Sequence, residues 1–134
     1  MTPEFVQQFM QRAVVRDFLR FAAVGAVATV VHYAVLIAMT ELGGASPVIA
    51  TICGFFVGAL VSYTLNRRYT FATKPAFGKG LLKFLLVIAV GAVINAGIVA
   101  AFVNAGVHYM IGQVIATGLV LIWNFAGARL LVFR

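Results

Sequence analysis

The chain has 134 residues, of which 63% are hydrophobic and only 10% charged, and its net charge is +7. Soluble domains average roughly 25% charged residues, and a membrane span needs ~20 mainly apolar residues; the apolar runs, approximately 21–42, 46–65, 84–106 and 109–128, meet that length and leave no room for a soluble domain. In a soluble chain the positive charge would suggest nucleic acid, but here it is confined to the ends of the runs, where it meets anionic headgroups or phosphate.

Thr2-Pro3-Glu4 reads as a helix start, with Thr as N-cap, Pro in the first turn and Glu at the positive end of the dipole. Phe5, Val6, Phe9, Met10, Ala13 and Val14 then recur at helical spacing between Gln7, Gln8, Gln11, Arg12 and Arg16. This predicts an amphipathic helix over 1–17 at the cytoplasmic interface, its stripe interrupted by Val15 and Asp17. A cleavable signal peptide is not expected, because about twenty residues precede an apolar run longer than a typical signal core.

The first connection, 42–47, is a tight Gly-Gly-Ala-Ser-Pro reversal whose only charge is Glu41 at its edge. The second span holds the single cysteine, Cys53, which reads as a small packing residue. The middle loop, 67–80, is longer and basic, and the last connection, around 105–108, is short again. All ten Lys and Arg lie on one side of the bilayer so implied: Arg12, Arg16 and Arg20 before the first run; Arg67, Arg68, Lys74, Lys79 and Lys83 between the second and third; Arg129 and Arg134 after the fourth. Because cytoplasmic loops are enriched in Lys and Arg, both termini and the middle loop are expected in the cytoplasm.

The spans repeat. A shift of 63 residues brings Arg20-Phe21 onto Lys83-Phe84, Val24 onto Val87 and His32 onto Asn95. A shift of 62 brings Gly54 onto Ala116, Ser62 onto Asn124, Arg67 onto Arg129 and Phe71 onto Phe133. The expected fold is an all-α membrane protein of four transmembrane helices, arranged as two parallel-repeat helical hairpins, 18–71 and 81–133, within a domain 18–134.

Ala50, Gly54, Gly58, Ser62 and Asn66 line one face of the second span, and Gly112, Ala116, Val120, Asn124 and Ala128 the equivalent face of the fourth. Small residues there permit close helix packing. At the cytoplasmic end the ridge turns polar beside Arg67, Arg68 and Arg129. Arginine presents a fork of donors matched to phosphate oxygens, and Asn66 and Asn124 add neutral donors; the same arginines also serve as positive-inside anchors that snorkel to water. His32 lies twelve residues past Arg20, ~18 Å deeper along a helix, and Asn95 at the same depth past Lys83. They read either as marks of a polar pathway or as an interhelical hydrogen-bonded pair. Asn104 and Gln113 read as structural. No Asp or Glu lies in the interior of a span, Asp17 and Glu41 flanking the first, which disfavours a proton antiporter and a small multidrug exporter. No nucleophile–base pair, metal cluster or glycine-rich phosphate loop is present, so neither an enzyme nor a cofactor is expected.

Arg20-Phe21 through Val24-Gly25, Asn66-Arg67-Arg68-Tyr69-Thr70-Phe71, and Asn124 with Arg129 and Val132-Phe133 resemble the GtrA-like family over residues 18–134. The resemblance implies a small bacterial or archaeal inner-membrane protein of cell-surface polysaccharide synthesis. It implies flipping of a polyprenyl-phosphate-linked sugar, or of polyprenyl phosphate itself, and a polyprenyl-phosphate glycosyltransferase as a separate partner. On that reading the phosphate is held by Arg67, Arg68, Asn66, Asn124 and Arg129, with Lys83 and Arg20 in the basic collar. The headgroup then passes Ser62, Thr29, His32 and Asn95, and the small-residue face suits a homodimer. The fourth-span exit departs from the pattern by lacking the second Arg, so the two ends are unequal. The alternative is a scaffold or accessory subunit for the glycosyltransferase, docking through the N-terminal helix and the basic loop.

Overall fold

The computed structural model describes residues 1–134. It is all helical: α1 (Pro3–Ile37), α2 (Pro47–Leu65), α3 (Phe77–Asn104) and α4 (Tyr109–Gly127). Three five-residue π-helical turns extend them, Ala38–Leu42 after α1, Asn66–Thr70 after α2 and Ala128–Val132 after α4. With these turns included, all four helices are long and apolar enough to cross a membrane, which makes the chain a multi-pass membrane protein. Only helices or closed barrels satisfy the backbone in hydrocarbon, and the sequence has the continuous runs for the former.

The chain divides into two units, Met1–Ala72 and Thr73–Arg134. In the first, α1 and α2 pack antiparallel, as contacts descending one helix and rising on the other show: His32 against Gly54, Ala28 against Gly58, Phe21 against Phe71. The reversal needs Gly44, whose φ of 65° suits glycine; Ser46 then caps α2 by accepting from the Ile49 amide at 3.3 Å, with Pro47 in the first turn. In the second unit, α3 and α4 pair likewise through Phe102 on Gly112, Asn124 on Gly91 and Val87 on Gly127, across a turn closed by Gly106 at φ 79°. Trp123 Nε1 donates to the Val87 carbonyl at 2.9 Å, tying α4 to α3 by its main chain.

Glycine makes these pairings close. A Cβ on Gly54 would lie 2.6 Å from His32 Cδ2 and 2.8 Å from the His32 carbonyl oxygen, and one on Gly58 would lie 3.0 Å from the Ala28 carbonyl. Where lipid supplies no hydrophobic drive, such backbone approach and the dispersion it allows hold helices together. The side chains outside these seams, such as Val30, Ile52, Phe56, Val93, Val114 and Ile122, are exposed, as lipid-facing residues are.

Buried positions correspond between the units. Under the shifts above, Phe21 matches Phe84, Ala28 matches Gly91, Ala50 matches Gly112, Tyr63 matches Phe125 and Phe71 matches Phe133, and all ten are buried. The π turns Asn66–Thr70 and Ala128–Val132 also fall on equivalent residues.

The N-terminal segment differs from expectation. The helix predicted over 1–17 is not a separate element: α1 runs unbroken from Pro3 to Ile37, capped by Thr2 Oγ1, which accepts from the Phe5 amide. The stretch Ala13–Phe18 contains neither Gly nor Pro, so nothing interrupts its hydrogen-bond ladder. Because Arg20 and Phe21 are level with Tyr69 and Phe71, the residues before them overhang the end of α2.

Candidate functional site

The basic end of the first hairpin is built on the π turn Asn66–Thr70. The turn is closed by Phe71 N donating to the Asn66 carbonyl at 3.1 Å, one residue wider than an α-helical bond. Asn66 is fully buried. Its Nδ2 donates to Ser62 Oγ at 3.2 Å, and its Oδ1 accepts from Thr70 Oγ1 at 2.7 Å. The three side chains form a polar ladder along one face, at the spacing that stacks residues on a helix. One residue over, Arg67 donates to the hydroxyl of Tyr63, itself fully buried.

Two arginines, Arg20 and Arg68, meet Tyr69. Arg20 Nη1, from α1, donates to the Tyr69 carbonyl at 3.4 Å, placing a cation on the carboxyl end of α2 where the helix dipole favours it. The Arg68 guanidinium carbon lies 5.2 Å from the Tyr69 ring centroid. Arg67 starts from the same turn. Behind them, Phe21 and Phe71 meet edge to face at 6.3 Å and seal the hairpin. One helical turn before Phe21, Asp17 is buried and pairs with Arg16 at 3.4 Å.

Sequence-predicted residues fare differently. Arg20, Arg67 and Arg68 are brought together. Asn66 is at their base, buried, with its Nδ2 donating to Ser62 and its Oδ1 accepting from Thr70. Lys83 and Arg129 mark the corresponding end of the second hairpin. Lys83 is exposed, and Arg129 is half-buried within the π turn Ala128–Val132. Asn124 sits one turn deeper, its Oδ1 pressed on Gly91 with no donor in reach.

The four residues of the expected polar path are each engaged inside their own hairpin. Thr29 Oγ1 donates back to the Gly25 carbonyl at 2.9 Å, and Ser62 accepts from Asn66. The His32 ring lies against Gly54, and its Nε2 is buried without a hydrogen-bond partner. Asn95, which the sequence left open as a partner for His32, pairs with Gln113: Gln113 Nε2 donates to Asn95 Oδ1 at 2.9 Å and Asn95 Nδ2 donates to Gln113 Oε1 at 3.4 Å. Tyr69 and Thr70 entered the sequence reading only within the motif at 66–71, and Tyr63 and Trp123 went unmarked. The first three follow from it in retrospect, since Tyr63–Arg67 and Asn66–Thr70 are four-residue pairs and Tyr69 follows the two arginines.

Residues 20–133 match the family model described as GtrA/DPMS, transmembrane domain. The chain is also 31% identical over 115 residues to an uncharacterized membrane protein, YngA, of Bacillus subtilis (strain 168), covering 85% of this chain and 77% of that protein. With four membrane-crossing helices, a basic end built on a π turn, and a family match spanning nearly the whole of both hairpins, the chain belongs to the GtrA/DPMS transmembrane-domain family.

Proposed function

We propose that the protein moves a polyprenyl-phosphate-linked sugar, or polyprenyl phosphate, across a bacterial or archaeal cytoplasmic membrane during cell-surface polysaccharide synthesis, without catalysing a reaction. Family membership supports the class of lipid. The observation that carries the reading is the meeting of Arg20 and Arg68 on Tyr69, with Arg67 on Tyr63 in the next turn, at one end of a membrane-crossing hairpin. An ionised phosphate cannot leave water without cationic and hydrogen-bonding partners. Arginine supplies both in one group, keeps its charge at any accessible pH and binds phosphate oxygens two at a time.

The charge distribution gives the orientation. Every Lys and Arg lies at or beyond the same ends of the spans, so both termini and the loop joining the hairpins belong on the cytoplasmic side. Each hairpin contributes an even number of spans, and buried positions match between the two. The test is reconstitution into liposomes with a fluorescent short-chain polyprenyl-phosphate sugar, scoring its protection from an outside reagent. Transfer between leaflets should exceed that of empty liposomes and fall in Arg67→Ala; transfer at the empty-liposome rate removes the reading.

A second reading, a scaffold for a separate polyprenyl-phosphate glycosyltransferase, is favoured by one feature. Phe5, Phe9 and Met10 stand exposed on the overhanging part of α1, at 56%, 68% and 59%. It predicts that the purified protein retains the enzyme and moves no lipid.

A further inference from the structure

The two hairpins have equivalent elements but unequal chemistry at their basic ends. The first brings Arg20 and Arg68 onto Tyr69 and Arg67 onto Tyr63. The residues at the corresponding positions of the second are Lys83, Arg129, Leu130 and Leu131, and both leucines are exposed, at 63% and 50%. Beneath the arginines the first hairpin holds the Ser62–Asn66–Thr70 ladder and Tyr63. The second holds Asn124, Ala128 and Val132, with Phe125 in place of the tyrosine.

The π turn does not require the ladder. Phe133 N reaches the Ala128 carbonyl at 2.8 Å in the second hairpin just as Phe71 N reaches Asn66 at 3.1 Å in the first. Buried amide and hydroxyl groups are costly unless paired; the first end pairs Ser62, Asn66 and Thr70 in a ladder, whereas at the second Asn124 Oδ1 is buried without a donor, and the paired ladder marks the first end as the one built to carry polar contacts. Exposed leucines at the other end suit acyl chains.

We infer that the phosphate grip belongs to the first hairpin alone, one headgroup per chain, with Arg20, Arg67 and Arg68 meeting the phosphate, while Lys83, Arg129, Leu130 and Leu131 form a lipid-facing anchor. This rests on the reading of the protein as one that handles a phosphate-bearing prenyl lipid. The recognised chemistry is a phosphate anion, which a prenyl phosphate, a phospholipid headgroup and free phosphate all offer.

The full chain in phosphatidylcholine nanodiscs, titrated with fluorescent farnesyl phosphate and examined by native mass spectrometry, tests it. One farnesyl phosphate should bind per chain, displaced by unlabelled farnesyl phosphate far better than by farnesol, phosphatidylglycerol or inorganic phosphate. A charge-assisted phosphate contact is worth enough that Arg67→Ala should weaken binding about tenfold or more. Arg68→Leu should do the same, and it installs the residue that the second hairpin already carries at that position, so the fold has a precedent for it. Lys83→Ala, which removes an exposed charge, should leave binding within about twofold, and so should Arg129→Ala at its half-buried position. Two bound molecules per chain, or a loss in Arg129→Ala equal to that in Arg67→Ala, overturns the one-sided grip. Equal binding of farnesol and farnesyl phosphate overturns the prenyl-phosphate reading itself, whichever hairpin is involved. Displacement by phosphatidylglycerol or inorganic phosphate as effective as by farnesyl phosphate overturns it too, naming the other source.

Discussion

Gly54 is a residue whose value lies in what it lacks. The His32 ring and carbonyl occupy the place of its side chain, and the carbonyl belongs to a helix that cannot move alone. Gly54→Ala should therefore force the hairpin apart and cost about 1–3 kcal/mol, the usual range for overpacking. Unfolding in mixed micelles checks this, with Gly97→Ala, which has nothing within 4 Å, as the unaffected control. The small-residue ridge was legible at once from its four-residue spacing, and the structure uses it as packing. The fate of the polar residues was not. Asn66 beside Arg67 reads as a ligand in sequence, because spacing shows which face a side chain is on and not whether its amide is already spent. Asn95 is similar: its partner Gln113 is eighteen residues away, a pairing fixed by the antiparallel register of α3 and α4.

At the scale of elements, the hairpins depend on two glycines held in the left-handed region, Gly44 and Gly106. Gly106→Ala should lower the unfolding free energy by about 1–2 kcal/mol through that conformation alone, since its surroundings are open. A thermal or denaturant melt in detergent is the measurement, and an unchanged midpoint would mean that the turn has other ways to close. The helices themselves were readable from apolar run length, and the turns from Gly and Pro. Two things were hidden. The N-terminal stripe suggested an independent interfacial helix, yet amphipathicity carries no stop signal and α1 continues through it. The π turns leave no mark in composition: Asn66–Thr70 and Ala128–Val132 share the turn and little of its chemistry.

For the whole molecule, charge asymmetry is the strongest statement the chain makes, and it is checkable. In a Cys53→Ala background, Lys74→Cys should resist a membrane-impermeant maleimide in intact cells and react once the membrane is opened. Ala45→Cys and Val107→Cys should react in both. Labelling of Lys74→Cys in intact cells would invert the protein and put its arginines on the far side. The four spans could be read directly from residue order, because hydrophobic length acts locally. The division of labour between the two basic ends could not, because aligned arginines look alike until the groups beneath them are seen.

His32 seated on Gly54 has a bearing on the route itself. A zipped interface, with main chain nearly touching main chain, has no bore, and an opening wide enough for a hydrated sugar would have to break the contacts that make the hairpin. On the proposed function, a lipid that crosses would travel along the outside of this hairpin, in the manner of a card drawn through a reader, with its greasy tail left in the bilayer. That shifts attention from polar residues inside the helix pairs to the flank next to Tyr69 and the arginines around it.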